Sequence, residues 1–413
     1  MIQIKTVCQQ KKVLLAILTK NNPHFLHRLL NSIYQHPELR QCPILIVDDS
    51  RDPHLIQENN LMVKKFDLSP VIVNRYDWDK IKRSIVLDNS SLDFASKLLM
   101  QRLTLGIPRF NTFNARNITS IVVKLYFSKY NYVFCLDNDI IFPQNFILRN
   151  PKDAHLIGVK VTGSPDLSRF EWIRLYLLYL KKKYGMSIKD KRAFYVKVLI
   201  QSLSLSHIQY LIHTYTDLYA NSSNIMRFLI TYPIPVREFN TGSFFTSSKL
   251  LLKSMFPPYY GEDFLWLNFV RRSRIRQYFF SKPIIHAAER KHISDAQKIL
   301  FEEEGHLLNL ITKSKYIESS IKNGAAQKAF FWKNKINQDL LLLAYKLRKI
   351  TTEAKEMQQL EVLIEVLTKL INFVEKSNIS DFTKKINEIK ENNLIWRRLL
   401  SNLQQMNLDS FIK

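Results

Sequence analysis

The first 150 residues alternate between short apolar runs, typical of buried strands, and longer stretches with helical periodicity. Strand-like runs at Val13–Leu18 and Pro43–Val47 flank a segment in which apolar side chains from Phe25 to Ile33 recur at helical spacing. A second helical pattern, Asn114–Tyr126, leads into the strand-like run Tyr132–Leu136. Parallel strands need such crossover helices, which then cover both faces of the sheet. The sequence therefore predicts an α/β fold with a mostly parallel sheet.

Composition indicates a folded chain with a strong positive charge. Hydrophobic residues make up 46% and charged residues 23% of the 413 residues, and the formal net charge is +25. Residues 301–413 carry 18 basic and 14 acidic side chains, so most of the positive charge lies before residue 301. An anionic partner is expected there, and charge alone leaves nucleic acid, an anionic membrane and a phosphate-bearing substrate open.

Cysteine content and the length of apolar runs indicate the cellular compartment of the protein. Cys8, Cys42 and Cys135 are too few and too scattered for a disulfide framework or a zinc ribbon. Val13–Leu18 is the longest apolar run near the start and is far shorter than the roughly 20 residues of a membrane-spanning helix. We therefore expect a cytoplasmic protein with reduced cysteines.

The pattern changes twice along the chain. Residues 165–235 are rich in aromatic and basic side chains and are expected to form a helical insertion. From about residue 291 the pattern is helical throughout, with an amphipathic stretch at Glu353–Glu375. The predicted organisation is one α/β domain over residues 1–290 and a helical C-terminal domain over residues 291–413.

Two predicted strands end in acidic turns. Asp48-Asp49 follows the second strand, and Asp137-Asn138-Asp139 follows the strand at Tyr132–Leu136. Ligands of open parallel sheets bind beyond the C-terminal ends of the strands, where carboxylates can accept hydrogen bonds or hold a divalent ion. The alternative for each turn is local, since Asp and Asn commonly begin turns.

These segments resemble a known family. Val13–Asn21, Pro43–Ser50, Asn114–Asn117 and Tyr132–Ile141 together resemble the nucleotide-sugar half of a GT-A glycosyltransferase of the family 2 kind. The resemblance extends over residues 10–290 and implies a Rossmann-like GT-A domain. Its D-x-D pair, Asp137 and Asp139, would bind Mn²⁺ or Mg²⁺ together with the diphosphate.

The resemblance also implies roles for other residues in the donor site. Asp48 or Asp49 would contact the uracil or ribose of a UDP-sugar, and Arg116 would approach the nucleotide. His286 resembles a third metal ligand, although a lone histidine is more often structural. The implied nucleotide-sugar positions are Thr19, Asp48, Asp49, Arg116, Asp137, Asn138 and Gly242.

A downstream segment resembles the acceptor half of the same fold. Gly261 permits a tight turn, and Glu262 and Asp263 follow it at the start of a predicted helix. Inverting transfer needs a carboxylate that takes a proton from the acceptor hydroxyl, and the resemblance assigns this role to Asp263 with Glu262 beside it. An acidic first helical turn with a capping role only is the alternative.

The sequence also departs from the family pattern. The stretch from Ser50 to Asn114 is long and holds an extra strand-like run at Pro70–Val73. The Q-x-x-R-W signature of processive synthases is absent, which favours transfer of a single hexose or N-acetylhexosamine to a glycan, a lipid-linked glycan or a protein. Arg169–Arg192 is compatible with contact with the inner face of a membrane and with a core helix of the insertion, and the core helix is the favoured alternative. The C-terminal helices are compatible with a homodimer, with docking against the catalytic domain and with binding of a protein acceptor.

Two other functions are compatible with parts of the sequence. A basic, non-catalytic module on an α/β scaffold would bind a membrane or nucleic acid, but no nucleic-acid-binding signature is present, so nucleic acid is not expected as a partner. A nucleotidyltransferase would also use strand-end carboxylates and a metal. It would not require the later Gly261-Glu262-Asp263 turn.

Overall fold

The computed structural model describes most of the α/β region and the last two helices. The described residues are 12–88, 90–107, 112–144, 146, 148, 156–158, 161–163, 243–259, 261–270, 277–279, 284–286 and 354–403, with scattered positions between 300 and 352. Two compact units divide the chain. The first comprises Met1–Lys160, Phe239–His286 and Thr383–Lys413, and the second comprises Val161–Glu238 and Ala287–Phe382.

The first unit is built on a seven-stranded mixed sheet. The described strands of the chain are β1 (Val13–Thr19), β2 (Ile44–Asp48), β3 (Val71–Val73), β4 (Tyr132–Asp137), β5 (Ile140–Ile141), β6 (Leu156–Gly158), β7 (Val161–Gly163), β8 (Ser243–Ser247), β9 (Gln277–Phe279) and β10 (Ile284–His286). The order across the sheet is β3-β2-β1-β4-β8-β6-β9. β8 runs antiparallel to both of its neighbours, whereas the other pairings are parallel.

Helices connect the parallel strands, as the sequence predicts. The described helices are α1 (Pro23–Tyr34), α2 (Pro37–Arg40), α3 (Pro53–Lys64), α4 (Arg75–Asp88), α5 (Phe94–Arg102), α6 (Phe113–Tyr126), α7 (Ser248–Leu251), α8 (Glu262–Val270), α9 (Ala354–Lys376) and α10 (Ile379–Asn402). Every residue of β1 and β2 is buried, which explains their continuous apolar runs. The α/β class and the mostly parallel sheet are confirmed.

Local signals fix where several helices begin. Asn22 precedes α1 and accepts a hydrogen bond from the Phe25 amide, and Pro23 occupies the first helical turn. Asp52 and Asp93 cap α3 and α5 in the same way. The helix α4 was not predicted; it follows β3 and packs Trp78 into the core, where its indole N–H donates to the Leu103 carbonyl at 2.8 Å.

The last helix contributes to the core of the first unit. Trp396 and Leu399 of α10 are fully buried and belong to the same hydrophobic cluster as residues of β1 and α6. Residues 383–413 belong to the same compact unit as most of the α/β region. The domain division at residue 291 stays a prediction. The insertion predicted at residues 165–235 lies outside the described residues. Among those described, no helix has the length and apolar character needed to cross a bilayer.

The cysteine on β4 is shielded from solvent. Cys135 is a buried free thiol on β4. Burial raises the pKa of this thiol to about 12, so it stays protonated at neutral pH.

Candidate active site

The polar residues that end three neighbouring strands share one edge of the sheet. Thr19 of β1 lies opposite Asp48 of β2, and Leu18 lies opposite Asp137 of β4. Asn138 connects the ends of β4 and β1, because its side-chain amide donates a hydrogen bond to Thr19 Oγ1 at 3.0 Å. The acidic turns predicted at the strand ends therefore meet where open sheets bind ligands.

Asp48 organises the loop that follows β2. Its carboxylate is fully buried and accepts hydrogen bonds from the Ser50 amide at 2.9 Å and from the Asn59 side chain at 2.9 Å. Burial raises the pKa of Asp48, and the hydrogen bonds from Ser50 and Asn59 act in the opposite direction. Both carboxylate oxygens thus contact the protein itself.

Asp49, which follows β2, contacts both the residue after β1 and the segment that follows α5. Its Oδ2 lies 2.8 Å from Lys20 Nζ, and its Oδ1 accepts a hydrogen bond from the Gly106 amide at 2.8 Å. Gly106 has a φ of +73°, and a Cβ there would lie 3.2 Å from the Ser50 carbonyl oxygen. A glycine is therefore needed for this close approach. The sequence prediction missed Gly106, whose partner Asp49 is distant in sequence.

Arg116 lies at the centre of the candidate site. It belongs to α6 and is only 4% exposed. Its Nη2 donates a hydrogen bond to Asp137 Oδ1 at 3.2 Å, and its Nε donates to Glu262 Oε1 at 3.0 Å. The same Nη2 lies 3.9 Å from Asp263 Oδ2. One guanidinium thus joins the D-x-D turn to the Gly261-Glu262-Asp263 turn, although these turns are more than 120 positions apart in sequence.

The surroundings of Arg116 keep it cationic. Burial alone would lower the pKa of the guanidinium, but Asp137, Glu262 and Asp263 together raise it above its ordinary value. The rings of Phe244 and Phe256 lie with their centroids 5.7 and 5.9 Å from the guanidinium carbon. Among the described residues, the Arg116 guanidinium therefore faces three carboxylate side chains within 4 Å.

The turn Gly261-Glu262-Asp263, called the acceptor turn below, begins α8 as predicted. Gly261 has a φ of +66°, and its carbonyl accepts the first helical hydrogen bond from Leu265 at 3.0 Å. Glu262 and Asp263 are buried in the first turn of the helix. Glu262 Oε1 also accepts a hydrogen bond from Thr112 Oγ1 at 2.6 Å, so two donors fix this side chain.

Two asparagines hold the segment that leads into this turn. Asn117, next to Arg116 on α6, donates to the Phe256 carbonyl and accepts from the Phe256 amide, both at 2.8 Å. Asn393 of α10 accepts from Ser254 Oγ and from the Met255 amide, also at 2.8 Å. Asn117 belongs to the segment Asn114–Asn117 that carries part of the family resemblance, whereas no sequence signal identifies Asn393.

The residues around the D-x-D turn have the chemistry of a divalent-metal site. Asp137 and Asp139 supply carboxylate oxygens, which Mn²⁺ and Mg²⁺ prefer, and the Asp137 side chain is 27% exposed. β10 pairs with β5 so that the backbone of His286 lies opposite Ile140, directly after Asp139. The His286 side chain and Gly242 lie outside the described residues. No preformed cluster of three metal-ligating side chains occurs in the described part of the chain.

Comparison with known proteins yields structural similarities only. Neither a scan of protein-family models nor a search of curated proteins gives a match. The chain is similar to a mannosyltransferase from Pyrobaculum calidifontis in complex with GDP-Man and Mn²⁺, at 9% identity and a TM-score of 0.37, covering 94% of this chain and 85% of that chain. It is also similar to glucosyl-3-phosphoglycerate synthase from Mycobacterium tuberculosis in complex with phosphoglyceric acid, at 12% identity and a TM-score of 0.38, covering 76% and 85%.

A third solved structure, S. aureus TarS, is similar at 12% identity and a TM-score of 0.32, covering 88% of this chain and 55% of that chain. The function proposed below rests on the geometry of the site.

Proposed function

We propose that the chain is a metal-dependent glycosyltransferase that moves a single sugar from a nucleotide sugar, with UDP as the expected nucleotide, to an acceptor hydroxyl. One observation carries the proposal. Asp137 of the D-x-D turn and Asp263 of the acceptor turn both lie within 4 Å of Arg116 Nη2, at the edge of the sheet where open sheets bind ligands. A transferase needs donor and acceptor groups beside each other, whereas a nucleotidyltransferase gives no reason for the second acidic turn.

The donor would bind at the ends of β1, β2 and β4. Asp137 and Asp139 would hold Mn²⁺ or Mg²⁺, with His286 as the third ligand, and the cation would neutralise the diphosphate of the donor. Thr19, Asn138 and Gly242 would line the diphosphate and sugar. Asp48 and Asp49, which are both buried, are the candidates for the contact with the uracil or ribose.

The acceptor hydroxyl would lose its proton to Asp263. The hydroxyl oxygen forms a bond to the anomeric carbon as the bond from that carbon to the diphosphate oxygen breaks, and the nucleoside diphosphate leaves. Such inverting displacement requires the base on the side opposite the leaving group. Glu262, fixed by Thr112 and Arg116, would hold the turn that presents Asp263. General-base assistance of this kind contributes about 10²–10⁴-fold.

The remaining expectations concern partners and location. We propose a hexose or N-acetylhexosamine as the transferred sugar, and a glycan, lipid-linked glycan or protein as the acceptor. A cytoplasmic location, peripheral contact with a membrane and a dimer formed by the C-terminal helices also remain proposals. The net charge of +25 supports attraction of phosphate-bearing donors and of acceptors near anionic surfaces.

Isothermal titration with a nucleotide panel tests the donor site. UDP, GDP, CMP and TDP are titrated, with and without Mn²⁺, into the wild type and the Asp137→Ala/Asp139→Ala variant. We expect one nucleotide to bind in a Mn²⁺-dependent manner to the wild type only. A control variant, Asp67→Ala/Asp79→Ala, removes two carboxylates whose side chains are 88% and 52% exposed, and it should bind as the wild type does. Failure of a folded wild type to bind any nucleotide would contradict the donor-site assignment.

A further inference from the structure

Arg116 contacts both acidic turns of the candidate site and is itself almost inaccessible. Its Nη2 and Nε atoms donate hydrogen bonds to Asp137 and Glu262, and only 4% of its side chain is exposed. We infer that Arg116 is a positioning residue that fixes the acceptor turn relative to the D-x-D turn, and not the nucleotide contact that the family resemblance implies. This inference rests on the proposed function, because the two turns are taken as the acceptor and donor sides of one reaction.

The geometry of a guanidinium suits this role. Its donors lie in one rigid plane, so hydrogen bonds from Nε and Nη2 fix the relative direction of two carboxylates. A lysine ammonium in the same place would keep the charge but not this planar arrangement. Thr112, at the start of α6, adds a second hydrogen bond to Glu262 from the same helix.

The helix that carries Arg116 is a firm base for it. Every residue of α6 except Lys124 is buried, and Asn117 fixes the Phe256 backbone through two hydrogen bonds. The Phe244 and Phe256 rings flank the guanidinium. Arg116 therefore has little freedom to move towards a ligand, and the turns that it contacts are held against a rigid element.

Electrostatics gives the reason why removal of Arg116 should move the turns. Asp137, Glu262 and Asp263 all lie within 4 Å of the guanidinium. Without the cation these carboxylates repel one another in a partly desolvated place, and the acceptor turn loses its link to β4. A shift of about 1 Å in a reacting group costs on the order of 10²-fold in rate.

A nucleotide contact and a positioning role for Arg116 predict different effects of metal on nucleotide affinity. A residue that contacts the nucleotide contributes to affinity whether or not metal is present. A residue that positions Asp137 and the acceptor turn contributes only to the Mn²⁺-dependent part of the affinity and to turnover. Binding in EDTA therefore separates the two, since the metal is removed and the nucleotide contacts remain.

The test compares Arg116→Met and Arg116→Lys with the surface control Asp67→Ala/Asp79→Ala. A further variant, Thr112→Val, removes the other hydrogen bond to Glu262 and leaves Arg116 in place. The nucleotide selected from the panel is titrated into each variant in EDTA and in Mn²⁺, and kcat for donor turnover is measured. In EDTA we expect the nucleotide affinity of Arg116→Met to stay within about twofold of the wild-type affinity. The variant should lose most of the increase in affinity that Mn²⁺ gives the wild type, and its kcat should fall about 10²-fold. Arg116→Lys should lie between Arg116→Met and the wild type, and Thr112→Val should stay within about tenfold of the wild-type kcat.

Equal losses of affinity in EDTA and in Mn²⁺ would overturn the inference in favour of a nucleotide contact, and an unchanged kcat would overturn it as well. Should Arg116→Met not fold, the same comparison is made with Arg116→Lys. Absence of nucleotide binding by the wild type contradicts the proposed function instead. Hydrogen exchange of Arg116→Met and of the wild type then tests the inference without any nucleotide. A positioning role predicts that the peptides covering residues 137–139 and 261–263 exchange faster in the variant than in the wild type. Unchanged exchange in both peptides would refute the inference.

Discussion

Replacing Asn393 by alanine removes a hydrogen-bond acceptor that fixes the approach to the acceptor turn. Asn393 Oδ1 accepts from Ser254 Oγ and from the Met255 amide at 2.8 Å each, and the side chain is only 4% exposed. A buried amide that loses its acceptor costs about 1–3 kcal/mol, and the second hydrogen bond adds about 0.5–1.5 kcal/mol. We therefore expect the segment at Ser254–Met255 to lose about 1.5–4.5 kcal/mol of stability.

Asn392→Ala is the matched control for this change. It makes the same substitution on the same helix at a half-buried position, so the gain in helix propensity, roughly half a kcal/mol, is common to both variants. The difference between the variants then reports the two buried hydrogen bonds. Urea unfolding gives the change in the free energy of unfolding, and hydrogen exchange of the peptide containing Met255 gives the local change.

Each 1.4 kcal/mol corresponds to about tenfold in exchange rate, so the Met255 peptide of Asn393→Ala should exchange about 10- to 1,500-fold faster than that of Asn392→Ala. Equal exchange and equal unfolding free energies in the two variants would refute the reasoning. Such a result would mean that α10 does not support the segment before the acceptor turn. It would also contradict the inclusion of residues 383–413 in the α/β unit.

Three further predictions concern individual side chains. Cys135, whose pKa burial raises to about 12, should resist iodoacetamide at pH 8 in the native protein and react after unfolding, as mass spectrometry would show; rapid native labelling would contradict this. Burial raises the pKa of Asp48, so the folded state binds its proton more readily than the unfolded state, and stability from this group falls as pH rises through the raised pKa. The urea midpoint of the wild type relative to Asp48→Asn should accordingly be higher at pH 4.5 than at pH 7, and the opposite trend would refute the assignment. Asp263→Asn should lower sugar transfer by about 10²–10⁴-fold and leave the nucleotide affinity unchanged, whereas an unchanged transfer rate would exclude Asp263 as the base.

The strands of the α/β unit could be predicted because their physical cause is local. A strand covered on both faces must be apolar throughout, and β1, β2 and β4 show continuous runs for this reason. The helix α4 was missed although its buried residues Trp78, Ile81 and Ile85 recur at helical spacing among charged residues. This spacing is a signal by which the sequence alone could have identified the helix.

The candidate site could be predicted in part. Strand-end carboxylates at Asp48, Asp49 and Asp137 followed from the rule that open sheets bind ligands at the C-terminal ends of strands. The sequence did not indicate that Arg116 contacts Glu262, because 146 positions separate the two residues. The contact of Asn393 with Met255 spans 138 positions and was missed for the same reason. Long-range polar contacts depend on how elements pack, and no local spacing encodes them.

In the proposed function, Asp137 and Asp139 form the metal-dependent site that binds a nucleotide sugar. The most direct measurement is Mn²⁺-dependent release of nucleoside diphosphate from a panel of UDP- and GDP-linked hexoses and N-acetylhexosamines. The measurement compares the wild type with Asp137→Ala/Asp139→Ala and with the surface control Asp67→Ala/Asp79→Ala. We predict that the wild type and the control turn over one donor and that the D-x-D variant is at least about 10²-fold slower. Turnover of no donor by the wild type, or equal turnover by all three proteins, would contradict the claim.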